Sequence, residues 1–155
     1  MTQRPAPFDD DALPAFDLDR FTPYRLAVAA KRTSEALSRQ YRDRFGIGIA
    51  EWRVLVHLAH AGDETSVRDI EAQVQLEKYE VSRTAKRLED KGLLAKSASA
   101  ADRRLVVLRL TPAGRRLMAE LLPLARSYQA RMEDRLGAAF QDLERGLDAL
   151  LGEAE

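Results

Sequence analysis

A chain of 155 residues, 45% apolar and 32% charged, has the size and composition of one soluble, rather helical domain with a core of its own. It contains no cysteine, which excludes a disulfide framework, a thiol redox sensor and a thiolate metal site. Formal net charge is zero, so any electrostatic preference must come from where the charges lie. The first residues lack an apolar stretch of signal-peptide type, and no segment reaches the length of a membrane span. The expectation is a cytoplasmic chain with no membrane association.

Residues 1–20 hold three prolines and the run Asp9-Asp10-Asp11, with little apolar periodicity; they are predicted to form an irregular acidic arm. A long helix follows, with Leu26, Ala30, Leu37, Tyr41 and Phe45 on one face. Gly46 and Gly48 stop it. A second helix, roughly 50–61, carries the stripe Trp52, Leu55, Val56 and Ala59, and Gly62 ends it. A short third helix opens on Ser66, with Asp69 three positions on as in a capping box. Its buried face is Val67, Ile70 and Val74. After a break at Gln75-Leu76, a fourth helix spans about 77–91, with Val81, Ala85 and Leu88 inward and Lys91-Gly92 at its end.

The period then changes to two. Residues 93–98 and 105–110 are predicted strands, and Ser99 to Arg104 form the tip of the hairpin between them. Thr111-Pro112 opens the next helix as N-cap and first helical residue. Residues 112–155 form two helices or one bent helix. One stripe is Leu117, Leu121, Leu124 and Tyr128; the other is Leu136, Phe140, Leu143, Leu147 and Leu150, with Gly137 and Gly146 interrupting the helical pattern. The second stripe needs a partner surface, which a fold-back onto the first helix or a second chain could supply.

The fold class is therefore mainly α with a small β-hairpin wing. The third and fourth helices are short and joined by a tight turn, as in a helix-turn-helix. Residues 78–104 gather Lys78, Arg83, Lys86, Arg87, Lys91, Lys96, Arg103 and Arg104 against only Glu80, Glu89, Asp90 and Asp102. Arginine at the front of a recognition helix can donate two hydrogen bonds to guanine O6 and N7, while Ser82 and Lys86 suit base edges or phosphates. Arg103 and Arg104 at the hairpin tip suit a narrow minor groove.

In their order and spacing, these residues resemble the MarR family of bacterial winged helix-turn-helix regulators. The carrying segments are Val81-Ser82-Arg83, Leu88 to Leu94, Asp102-Arg103-Arg104 and Leu108 to Gly114, and the resemblance extends over roughly 21–150. It implies a helical dimerisation region at 21–45 and 112–155, a DNA-binding region at 46–111, and an obligate homodimer on a palindromic operator. Carried over by position, Ser82 and Arg83 contact the major groove with Lys86 and Arg87 flanking. Arg104 is the wing arginine, Asp102 orients it, and Arg103 occupies the variable wing position. The resemblance also implies a repressor relieved by a small aromatic or lipophilic effector, for which Tyr24, Arg25, Arg32 and Trp52 are the candidate contacts. Glu77 and Glu80, in the first turn of the fourth helix, suit the helix dipole but repel phosphate; they either read cytosine N4 or point away.

His57 and His60, at i and i+3, are expected to be structural or solvent-facing, because no third metal ligand can be placed. No nucleophile triad, phosphate loop or carboxylate pair is present, so neither an enzyme nor a cofactor is expected. The alternative is a winged-helix module that binds another protein or acts as a scaffold without reading an operator. A scaffold would not require the basic fourth helix and wing.

Overall fold

The computed structural model of the protein describes residues 14–62, 65–74 and 76–152. Most of the predicted acidic arm (1–13), and Gln75 of the predicted break, lie outside the described residues. Two compact units divide the chain, Met1–Thr33 and Ser34–Glu155.

In the first unit a single 3-10 turn, Leu18–Arg20, leads into helix α1 (Thr22–Phe45). The Phe16 ring meets Phe21 edge-on, with centroids 5.2 Å apart. The helix begins four residues before its first predicted apolar position. Its first turn, residues 22–25, is exposed, so it left no periodic signal.

The second unit contains the last turns of α1 and everything after them. Helix α1 stops at Gly46, whose φ of +65° ends the helical path while its N–H still donates to the Arg42 carbonyl at 2.8 Å. Helix α2 (Ile49–Ala61) sits at the centre of the unit. It contacts helices α3 (Val67–Gln73), α4 (Lys78–Asp90) and α5 (Pro112–Leu136) and strand β3 (Val106–Leu110). Surrounded in this way, α2 buries Val54, Leu55 and Leu58 fully and Trp52, Val56 and Ala59 partly. The single predicted stripe therefore captured only part of its buried surface. Ser66 caps α3 by accepting from the Asp69 N–H at 3.1 Å and donating to the Asp69 carboxylate at 2.6 Å.

Strand β2 (Leu94–Ala98) pairs antiparallel with β3, Lys96 opposite Leu108. Strand β1 (Thr65–Ser66) adds a third strand on the other edge of β3, a pairing too short to leave a periodic trace in the sequence. Leu108, the middle residue of β3, is fully buried and joins Leu55, Ile70, Val81 and Leu88 in the core. Helix α5 runs to Leu136, and Gly137 at φ +55° separates it from α6 (Ala139–Gly152). The C-terminal stretch is thus two helices, and Gly146 lies inside the second. Helix α6 packs on α5 but buries no residue fully; Leu136 is 37% and Leu150 54% exposed.

Two local devices fix the wing and the end of α4. At the base of the wing, the Leu93 carbonyl accepts from the Thr111 N–H at 3.1 Å, and the Thr111 hydroxyl donates to the Gly92 carbonyl at 2.6 Å. The same hydroxyl caps α5 by accepting from the Gly114 N–H at 3.0 Å. Gly114 passes so close that a Cβ there would lie 2.0 Å from the Leu93 oxygen. The second device is Glu51, a carboxylate only 5% exposed. It accepts from the Gly48 N–H at 2.9 Å and from Lys91 Nζ at 2.8 Å, with Arg87 Nε at 3.8 Å. Lys91 also donates to the Gly46 carbonyl at 3.2 Å. One side chain thus joins the α1–α2 turn to the last turn of α4.

Gly114→Ala should lower stability by about 3 kcal/mol in a urea titration, because both nearest obstacles are backbone atoms that cannot swing aside; an unchanged midpoint would mean that the close approach is not required. Glu51→Ala should lower it by about 2 kcal/mol, and Glu51→Gln by less, since the amide oxygen can still accept from Gly48. Equal losses in the two variants would show that the cap contributes nothing beyond the ion pairs.

Candidate nucleic-acid interface

Helix α4 is sorted by angle. At 3.6 residues per turn, Val81, Thr84, Ala85 and Leu88 face the core and are buried. Directly opposite lie Tyr79, Arg83 and Lys86, a solvent stripe at i, i+4 and i+7. Tyr79 is 72% exposed, and the Arg83 guanidinium carbon stands 5.2 Å from its ring centroid. Lys86 pairs with Asp90 one turn on, at 3.3 Å.

The flank towards the wing carries Lys78 and Ser82. With Ser66, Val67, Arg68 and Glu71 of the α3 end, and Lys96, Arg104, Leu105 and Val106 of the wing, they line a groove of about 460 Å³. The cations Arg68, Lys78, Lys96 and Arg104 come from three different elements and converge there. Lys96 is partly offset by Glu89 at 3.5 Å.

The opposite flank is acidic. Glu77 and Glu80 line a separate hollow of about 380 Å³ with Glu71, Ala72 and Leu76. Of the two readings open for these glutamates, this placement on a flank fits their pointing away from the outer stripe. Glu77 is the N-cap and not a residue of the first turn; its carbonyl, not its carboxylate, accepts from Glu80 and Val81.

The wing tip is an ordered turn. The Ser99 hydroxyl accepts from the N–H groups of Ala101 and Asp102, at 3.2 and 3.4 Å, and the Ser99 N–H donates to the Leu105 carbonyl at 2.9 Å. The Asp102 carboxylate accepts from the Arg104 backbone N–H at 3.0 Å and from its Nε at 3.3 Å. Arg104 is therefore held by a carboxylate two residues away while its side chain stays 91% exposed. Arg103 is exposed beside it.

Of the sequence-predicted DNA-contact residues, Arg83 and Lys86 share the outer stripe, Ser82 faces the wing groove, and Asp102, Arg103 and Arg104 form the tip. Arg87 is turned elsewhere: its guanidinium donates to the Thr84 hydroxyl at 3.0 Å and faces Glu51. Sequence reasoning counted Lys78 and Lys96 in the basic stretch without assigning them a contact, and passed over Tyr79 and Arg68. The signal for Tyr79 was present, since it lies four residues before Arg83 on the exposed face.

Among the expected effector contacts, Trp52 is half-buried and stacks on Tyr41, with ring centroids 5.3 Å apart and planes 21° from parallel. Burial pushes the Tyr41 phenol up to about 12, with Arg42 and Arg53 opposing, so it stays neutral at physiological pH. Tyr24, Arg25 and Arg32 lie exposed on the first turns of α1. Of the two histidines, His57 is half-buried and His60 exposed, both on α2. Among the described residues no helix is long and apolar enough to cross a membrane.

Residues 45–116 match the family model described as the MarR family. In sequence, no curated protein matches the chain. Among solved structures, a MarR/EmrR family transcriptional regulator from Acinetobacter sp. ADP1 is 29% identical, with 88% of this chain and 95% of that one covered and a TM-score of 0.76. Bordetella bronchiseptica BpsR, whose DNA binding is regulated by 6-hydroxynicotinic acid, is 24% identical over 92% of this chain and all of its own, at 0.75. NadR in complex with 4-hydroxyphenylacetate is likewise 24% identical over 92% of this chain and all of its own, at 0.76. At that identity the last two establish a shared fold. Mainly helical, with a three-stranded wing sheet, the chain has a winged helix fold like that of these structures, and its segment 45–116, from the end of α1 to the start of α5, matches the MarR family of transcriptional regulators.

Proposed function

We propose that the protein binds double-stranded DNA sequence-specifically, as a homodimer on a palindromic operator, and acts as a repressor that a small aromatic or lipophilic effector releases. The observation that carries the DNA reading is the convergence of Arg68, Lys78, Lys96 and Arg104 across one groove, beside the outward stripe of α4. Cations from a helix and a wing that line one groove suit a phosphate strand passing between them, with α4 in the major groove and the wing tip in the minor groove. On this reading Arg83 and Lys86 face the major-groove floor, and Ser82 meets the backbone or a base edge on the wing side. Arg103 and Arg104 enter the minor groove, with Asp102 orienting Arg104. Arg87 flanks the contact and positions α4 through Glu51.

The dimer reading rests on α6, which leaves Leu150 54% and Leu151 76% exposed although its leucines recur at helical spacing. An apolar face of this kind suits a second copy. Two recognition helices related by a two-fold axis would then meet half-sites about 34–36 Å apart. The effector reading draws on BpsR and NadR, whose ligands are both hydroxylated aromatic acids, and on Trp52, an aromatic surface that is only half-buried.

The DNA reading predicts tight, salt-sensitive binding to the upstream intergenic duplex by fluorescence anisotropy, with Arg83→Ala weakening it roughly tenfold or more per half-site. Equal weak binding to native and unrelated duplexes, unchanged in the variant, would favour a winged helix that serves a protein partner. Leu150→Asp with Leu151→Asp should convert a dimer to monomers in sedimentation velocity without unfolding it, because both side chains are solvent-exposed within one chain. A wild-type monomer at micromolar concentration would sink the dimer reading. Trp52 is the single tryptophan, so aromatic carboxylates that release the DNA should also change its emission. A panel that alters neither signal would end the effector reading.

A further inference from the structure

The outer stripe of α4 pairs an aromatic ring with a guanidinium. Tyr79 lies in the first turn of the helix, the part of a recognition helix that approaches base edges. Among the described large apolar side chains only Leu151 is more exposed. The ring does not fill a gap between elements; its partner is Arg83 on the next turn, 5.2 Å from the centroid. A guanidinium resting on an aromatic face samples fewer conformations than a free one, and is held by the ring quadrupole. The acidic side chains that could draw Arg83 away, Glu77 and Glu80, line the hollow on the other flank.

We propose that Tyr79 and Arg83 form one composite reader, in which Arg83 donates to O6 and N7 of a guanine and the Tyr79 ring packs on the 5-methyl group of a nearby thymine. Thymine is the base that offers a methyl group in the major groove, and that apolar contact suits a ring otherwise left in water. Four residues of helix rise about 6 Å, against about 3.4 Å per base step, so the two bases lie within about two steps of each other. This rests on the DNA-binding reading above and adds to it the bases read and a residue outside the usual basic contacts.

The test uses a duplex selected by the wild-type protein from a randomised pool, with each thymine replaced in turn by deoxyuridine, which removes only the methyl group. Wild-type protein and Tyr79→Phe should each lose about five- to tenfold in affinity at one thymine per half-site, one or two steps from a guanine. Tyr79→Ala should bind the parent duplex about tenfold more weakly and show no further loss at that position. Thermal unfolding of the variants should match wild type, since Tyr79 is exposed. Tyr79→Ala with wild-type affinity, or with the full deoxyuridine loss retained, overturns the composite reader. If Arg83→Ala loses sequence preference while Tyr79→Ala behaves as wild type, the reader alone falls and operator binding stands. If the wild-type protein selects no duplex from the pool, both fall together.

Discussion

A buried carboxylate has to be satisfied from all sides, and Glu51 is satisfied by groups from three places in the chain: Gly48, Lys91 and Arg87. Leaving such a charge unpaired in a protein interior costs several kcal/mol, so the three groups cannot drift apart independently. The consequence reaches the surface. With its last turn tied to α2, helix α4 cannot rotate about its axis without breaking those contacts, and the direction of Tyr79, Arg83 and Lys86 is set from below. The Leu93 carbonyl anchors the wing in the same way, receiving the Thr111 N–H and leaving no room for any side chain at position 114. Helix and wing are therefore each referenced to the long helical elements, α4 through α2 and the wing through α5.

That arrangement explains how an electrically neutral chain can carry a cationic face. The sorting occurs within single turns of α4. Lys78 and Ser82 lean towards the wing, Tyr79, Arg83 and Lys86 point outward, and Glu77 and Glu80 take the far flank beside Glu71. Acids within six residues of Arg83 thus stand on a different side of the helix cylinder. At the wing tip, by contrast, Asp102 is placed where it holds Arg104 by two hydrogen bonds to one oxygen. One carboxylate is kept away from its arginine and another bound to it, in each case by local backbone geometry.

What the sequence made legible follows the range of each interaction. Caps act over three residues, and both Ser66 and Thr111 occupy the cap positions their spacing implied. The hairpin was legible through its period of two, and the face of α4 through its period of 3.6. Strand β1 was not, because two residues have no period. Glu51 was not, because its main partner lies 40 positions away and a glutamate three residues after Gly48 looks like an ordinary N-terminal acid. The fully buried state of Val54 and Leu58 was missed because α2 has neighbours on several sides, so a one-face template underestimates it. For the candidate interface, the basic residues were legible by type. Arg87 shows the limit of that approach: its side chain is as basic as that of Arg83, but it turns towards Glu51 and Thr84.

Neutrality also constrains how a reader of this kind can work. A strongly cationic protein accumulates on any DNA through counterion release, and specificity then has to compete with a large sequence-blind affinity. Here the cations are few, clustered and partly paired, as Lys86 is with Asp90 and Lys96 with Glu89. Beyond a Debye length of about 8 Å at physiological salt the clusters are largely screened, so their pull acts mainly near contact. On the proposed reading, discrimination then falls to short-range groups that distinguish one base edge from another. An aromatic ring held against a guanidinium is suited to such discrimination, because it adds contact area and a preference for an apolar group without adding charge.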